Sequence, residues 1–220
     1  MMRRNGEHFL KEDEIVSLPL DETTHIVSEN HFYKSEGYYA LVKNEVNGVK
    51  TLPRGSDVID AYVVPICLEK AKLEGIAVCD WEISYSFAKS PCIVYGLNYF
   101  STPDHYIVAK DQEQVRRAVK HATNNGRYPF CHQPLGDGER PQKVTVIFGN
   151  IGKNDARLVT LAKRVHEVFG IPLVTILYVN RDGAPHLSSL GPVKYSRLNR
   201  QERELLRKYL EPNPRSSREA

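Results

Sequence analysis

The chain has 220 residues, of which 41% are hydrophobic and 26% charged, and its formal net charge is +3. That length can bury one sizeable core or two small lobes, and no run of residues approaches the roughly 20 apolar positions of a membrane-spanning helix. The opening MMRRNGEHFLKEDE alternates charges without an apolar stretch, so no secretory signal is expected, and four cysteines with no Cys-x-x-Cys pair predict reduced, buried thiols in a cytoplasmic protein.

In chain order, residues 1–22 read as a mobile leader that ends in a turn at Leu18-Pro19-Leu20-Asp21. Thr24–Val27 is then a short strand. Ser35 can cap a helix in which Tyr38, Leu41, Val42 and Val46 recur on one face. Asn47-Gly48 stops that helix, because Gly tolerates the left-handed conformation. Val49–Leu52 looks like a second strand, which makes a β-α-β start. Ser56 caps a second helix running to Gly75, with a kink at Pro65. Further strands are expected at Ile76–Cys79, Cys92–Tyr95 and Tyr106–Ala109. Asp111 and Gln114 form a capping pattern before a helix that Gly126 ends. Residues 127–142, rich in proline and glycine, read as a loop or linker.

The last third is the plainest. KVTVIF (143–148) is a strand, and residues 155–169 are a helix stopped by Gly170 and Pro172. LVTILYV (173–179) and HLSSL (186–190) flank the turn Arg181-Asp182-Gly183 as a hairpin. Asn199 with Glu202 caps a final helix. From Lys194 to Ala220 there are eight cations against four acids, so the body is near neutral and the C-terminal end basic. Such an end is a solvated helix face or a docking surface for an acidic partner or RNA.

Few patterns carry recognisable chemistry. GNIGKND (149–155) lies between a strand and a helix, where phosphate loops occur. It is two residues too short for a Walker A loop and has Asn154 after Lys153, so it reads as a tight turn. Cys131 and His132, with His121 and His105, lack a second ligand pair at zinc-site spacing. No nucleophile elbow is present. The loop LNYFSTPDHY (97–106) mixes rings and polar groups, as single-stranded RNA sites do, but has no RNA-binding motif. The stretch HFYKSEGYYALV (31–42) packs four aromatic rings around a helix start. Gly37 there lets backbone approach closely. Free N–H groups at the helix start, with Lys34, would suit an anion. Residues alone leave both a structural and a binding reading open.

HIVSENHFYKSEGYYALVKNEVNGVKTLP (25–53) resembles the opening of the RimK-like ATP-grasp N-terminal domain, through Tyr33, Ser35, Gly37, Tyr38, Tyr39, Gly48 and Pro53. A second likeness lies in VIFGN (146–150) followed by LAKRVHEVFGIPLVTILYV (161–179). The resemblance implies an α/β fold with a pre-ATP-grasp-like (Rossmann-like) sheet and flanking helices, mostly one compact unit. It would span 23–210, with 80–140 a lineage-specific part and 211–220 a disordered tail. In relatives this domain precedes a module that joins a carboxylate to an amine through an acyl phosphate.

The expectation is therefore an accessory or substrate-recognition domain for a carboxylate–amine ligase carried on a separate chain, with no catalytic residues of its own. Tyr33, Lys34, Ser35, Gly37 and Tyr39 are the candidate ligand-binding residues, the first three facing a cleft. No metal site is expected. ATP and Mg²⁺ are expected only with the partner module. The alternative is an RNA- or nucleotide-binding protein that uses loop 97–106 and the basic C-terminus.

Overall fold

The computed structural model describes residues 10–152 and 155–211. Three small sheets and six α-helices make up this α/β fold among the described residues. The first sheet has the order β1-β2-β3, from Val16–Leu20, Thr23–Val27 and Thr51–Leu52. β1 and β2 are antiparallel, whereas β2 and β3 are parallel and joined through helix α1 (Glu36–Val46). The leader expected over 1–22 is thus corrected from residue 16 onward: Leu18 and Leu20 alternate inward with Val16 and pack near α6 residues Leu205 and Tyr209. Residues 1–9 lie outside the described residues.

Ser35 caps α1 as the sequence indicates, its hydroxyl accepting from the Tyr38 N–H at 3.2 Å. The single kinked helix expected after Ser56 is instead two, α2 (Gly55–Tyr62) and α3 (Val64–Leu73). The break falls at Val63, whose extended backbone suits the position near Pro65, and the proline sits in the first turn of α3, where no N–H is missed. Arg54, not Ser56, is the cap residue of α2.

The second sheet, β4-β7-β5-β6, comprises Glu82–Ser84, Phe130–Pro134, Cys92–Gly96 and Ile107–Ala109, and is wholly antiparallel. Helix α4 (Gln112–Ala122) lays Val115, Ala118, Val119 and Ala122 on it, against Val94 and Phe130. Residues 127–142 are therefore not a plain linker. Phe130, Cys131, His132 and Gln133 are all buried in a strand with neighbours on both sides. Ile76–Cys79, expected as a strand, makes only a one-residue bridge from Val78 to Leu187.

The third sheet runs β10-β9-β8, from Ala184–Gly191, Leu173–Arg181 and Pro141–Ile147. Helix α5 (Ala156–Phe169) connects β8 to β9 and buries Leu158, Leu161, Ala162, Val165 and Phe169 in the main core. Asp155 caps it, and Gly170 at φ +64° ends it. Asp182 and Gly183, both at positive φ, turn β9 into β10. A bulge between Leu187 and Ser189 leaves Ser188 and Ser189 both buried. α6 (Arg200–Leu210) starts at a capping box of Asn199 and Glu202, and η1 (Tyr195–Arg197) precedes it. All four cysteines are free and buried. Burial pushes the thiols of Cys79 and Cys92 up to about 11 and that of Cys131 to about 12, so they pack as small hydrophobes. Among the described residues no helix is long and apolar enough to cross a membrane.

Candidate functional site

A cleft of about 740 Å³ opens between the third sheet, the loop 102–106 and the segment before η1. Val144, Thr175, Leu177 and Ser189 of the sheet form its floor. Phe32 closes one side, its ring stacked on Tyr62 at 4.4 Å between centroids. The Tyr62 hydroxyl is buried and has no hydrogen-bond partner. Burial, and then the charge of Asp104, push its pKa up, so it stays a neutral donor.

The charges around the cleft divide into those already engaged and those that are not. Glu29, 3% exposed, accepts from the backbone N–H groups of Tyr195 and Asp13 and so pins η1 to the β2 end. Glu202 accepts from the Asn199 N–H. Lys194 pairs with Glu12 at 2.7 Å. Asp104 receives only the Thr102 hydroxyl at 2.6 Å and stands 3.9 Å from the His105 ring. Lys143 rests its ammonium 5.0 Å above the Tyr106 ring, without an acid partner among the described residues. Arg197 also lines the cleft and has no ion pair among the described residues. Two carboxylates, those of Asp13 and Asp104, and two cations therefore face the cleft without a Lys, Arg or acid partner among the described residues.

The residues singled out in the sequence fall elsewhere. Asn30 and Phe32 line the cleft, but Tyr33, Lys34 and Ser35 do not. Ser35 is spent on capping, and Glu36 already sits at the positive end of α1. Gly37 is where the backbone approach is tightest: a Cβ there would lie 2.3 Å from the Asn30 carbonyl oxygen. Tyr33 and Tyr39 point outward, 56% and 59% exposed. Lys34, at φ +70°, holds its ammonium 4.9 Å from the Tyr99 ring and 5.5 Å from that of Tyr33. A hydrogen bond to Tyr99 raises its pKa further. The structure thus joins Tyr33 and Lys34 to the aromatic loop.

That loop divides its residues between two faces. Tyr99 and Phe100 join the outer aromatic patch, and residues 102–106 wall the cleft. The patch rings meet edge to face, at 86° and 88°, so they do not form the parallel platform on which successive bases stack.

The start of GNIG belongs to a closed turn over Ile147–Asn150. Ile147 and Asn150 exchange backbone hydrogen bonds of 2.8 and 2.9 Å, and Phe148 and Gly149 take positive φ. Lys153 and Asn154 lie outside the described residues. Among the described residues no three His, Cys, Asp or Glu side chains converge as metal ligands. Lys143 and Arg197 escaped notice in the sequence because each looks like an ordinary surface cation; only their shared wall with Asp104 sets them apart.

No protein-family model matches the chain, and no curated protein matches it. Among solved structures, it is similar to the RimK-domain ATP-grasp protein of Sphaerobacter thermophilus DSM 20745, with a TM-score of 0.52 and 15% identity over 70% of this chain and 68% of that one. The D-alanine–D-alanine ligase of Helicobacter pylori gives 0.57 and 14%, over 78% of this chain and 64% of that one. The L-amino acid ligase of Bacillus licheniformis gives 0.50 and 12%, over 70% and 46%. The chain has the fold of the ATP-grasp ligases. At such identities the likeness speaks of fold alone, and the chain spans under two thirds of the last two enzymes.

Proposed function

We propose that this chain is an accessory, substrate-recognition unit of a carboxylate–amine ligase whose ATP-grasp catalytic module is supplied by a separate chain. In this reading the β2–α1–β3 unit is the pre-ATP-grasp-like part of the fold, and ATP with Mg²⁺ arrives with the partner. The observation that carries the reading is the cleft. It sets two carboxylates that no Lys or Arg pairs, Asp13 and Asp104, and two cations without an ion pair among the described residues, Lys143 and Arg197, around one cavity of about 740 Å³. A ligand with an ammonium and a carboxylate, the two groups such a ligase joins, satisfies both signs at once. This chain's residues bind and orient; activation of the acid belongs to the other chain.

The test is ATP turnover and amide formation measured for this chain, for the ATP-grasp ligase encoded nearest to it, and for the mixture. Activity is expected in the mixture and is expected to fall with Asp104→Asn. Magnesium-dependent ATP turnover by the 220-residue chain alone, lost on a substitution within it, would overturn the reading.

A further inference from the structure

A second concavity, of about 600 Å³, lies on the far side of the second sheet, and shares no lining residue with the cleft. Its wall on one side is the bend after β4, where Tyr85 and Phe87 stand 64% and 63% exposed. The hydroxyl of Ser84 accepts from the N–H groups of Ser86 and Phe87 and fixes that bend. The other wall is α4, with Val115 and Val119 at the base and Arg116 and Lys120 at the rim.

Residues four apart on a helix place their Cβ atoms about 5–6 Å from each other, so these two cations form a row along the groove. Among the described residues neither has an ion pair. The acid of this helix's first turn, Glu113, is engaged by Arg117 in the adjacent row. Among the described residues no Asp or Glu lines the groove. An apolar base facing exposed rings, under cations that no described acid neutralises, is a surface whose complement must be supplied from outside.

We propose that this groove docks an acidic segment of a partner protein, one apolar side chain seated between Tyr85 and Phe87 and flanking carboxylates on Arg116 and Lys120. Charge complementarity selects the occupant. Two cations over an apolar base match a short peptide with a pair of carboxylates, whereas a nucleic-acid strand brings a phosphate at every nucleotide and needs a longer basic track. Exposed aromatics beside Arg are also the residues that anchor protein interfaces.

Fluorescence anisotropy on the full chain tests this with a labelled synthetic peptide in which Glu pairs flank Leu and Phe. Controls are the same peptide with Lys in place of Glu, and a labelled oligouridylate. Saturable binding of the acidic peptide is expected, weakening as salt rises. It should fall about tenfold or more in the double variant Arg116→Glu, Lys120→Glu, and several-fold in Phe87→Ala. All these side chains are exposed or at the rim, so an unchanged melting temperature should accompany both losses. Absence of saturable binding, equal binding by the charge-reversed variant, or tighter binding of the oligouridylate would each overturn the proposal.

Discussion

Gly37 has a helical backbone that any residue could adopt, yet the space around it admits no side chain. Its Cβ would meet the Asn30 carbonyl oxygen, and at 2.6 and 2.9 Å the Ser28 side chain. Ser28 and Asn30 are themselves tied together, the Ser28 hydroxyl donating to the Asn30 carbonyl at 3.0 Å. Gly37→Ala is therefore expected to destabilise the fold by about 1–3 kcal/mol, the range for overpacking a filled site, as read from urea unfolding. A variant as stable as the parent would show that the 28–30 turn gives way freely. At the same scale His31 carries a pH dependence. Its ring is fully buried, Nε2 donates to the Ile26 carbonyl at 2.9 Å, and Nδ1 has no partner. Burial pushes its pKa down to about 4, the hydrogen bond to Ile26 opposing. An unfolded histidine titrates near 6.5. Between those values the unfolded chain binds the proton and the folded chain does not, so acidification favours unfolding. Stability should be full above about pH 6.5 and decline by about 3 kcal/mol as pH falls to about 4. His25, His132 and His166, also lowered first of all by burial, act in the same direction. In His31→Gln the decline over that window should be shallower; a slope equal to the parent's would remove His31 from the account.

Between elements, the seam of the second and third sheets is polar and closed. Tyr95 of β5 donates to the Ser188 hydroxyl at 2.7 Å, which donates on to Gln133 of β7 at 2.5 Å, and the Gln133 amide returns to the Ser188 carbonyl at 2.8 Å. Every member is buried, so each bond stands in a low dielectric and a missing partner has no water to replace it. Tyr95→Phe should cost about 1–2 kcal/mol, the range for stranding a buried polar group; a neutral result would mean that Ser188 finds another partner. Nothing in residues 91–96 or 186–190 announces that they face each other, because the contact joins positions 93 apart and depends on a bulge. Where an element was legible, its signal was local. The caps Ser35, Asp111 and Asn199, and the stops Gly48 and Gly170, all hold in the structure. The strand β7 was hidden by Pro129 and Pro134 at its borders, and β1 by Pro19 within it, since proline ordinarily argues against a strand. β1 can carry that proline as an edge strand paired on one side only. The two cavities were illegible for the same reason as the seam. Each gathers side chains from segments far apart in the chain, and only tertiary packing brings them to one wall.

At the scale of the molecule, the cleft is bounded by pieces that fold through different parts of the core. Phe32 lies between β2 and α1, residues 102–106 connect β5 to β6 of the second sheet, and Lys143 stands on β8 of the third. A ligand that bridges Asp104 and the pair Lys143 and Arg197 would tie these pieces together in the folded state alone. Binding of that kind stabilises by about 2.7 kcal/mol at a ligand concentration of 100 times its Kd. In a domain of roughly 150–250 residues, about 1 kcal/mol moves Tm by roughly 2–4 °C, so a saturating zwitterion should raise Tm by roughly 5–10 °C. The informative series compares free amino acids and dipeptides with forms whose amine is acetylated, whose carboxylate is amidated, or both. Free zwitterions should give the largest shift, and each blocking group should remove part of it. Asp104→Asn should erase the difference between free and acetylated amines while keeping that between free and amidated carboxylates. Lys143→Gln with Arg197→Gln should do the reverse, since these cations have no acid in the fold to lose. Equal shifts with the doubly blocked dipeptide, or shifts indifferent to both sets of substitutions, would show that the three charges do not read a ligand, and the substrate-recognition role would fall with them.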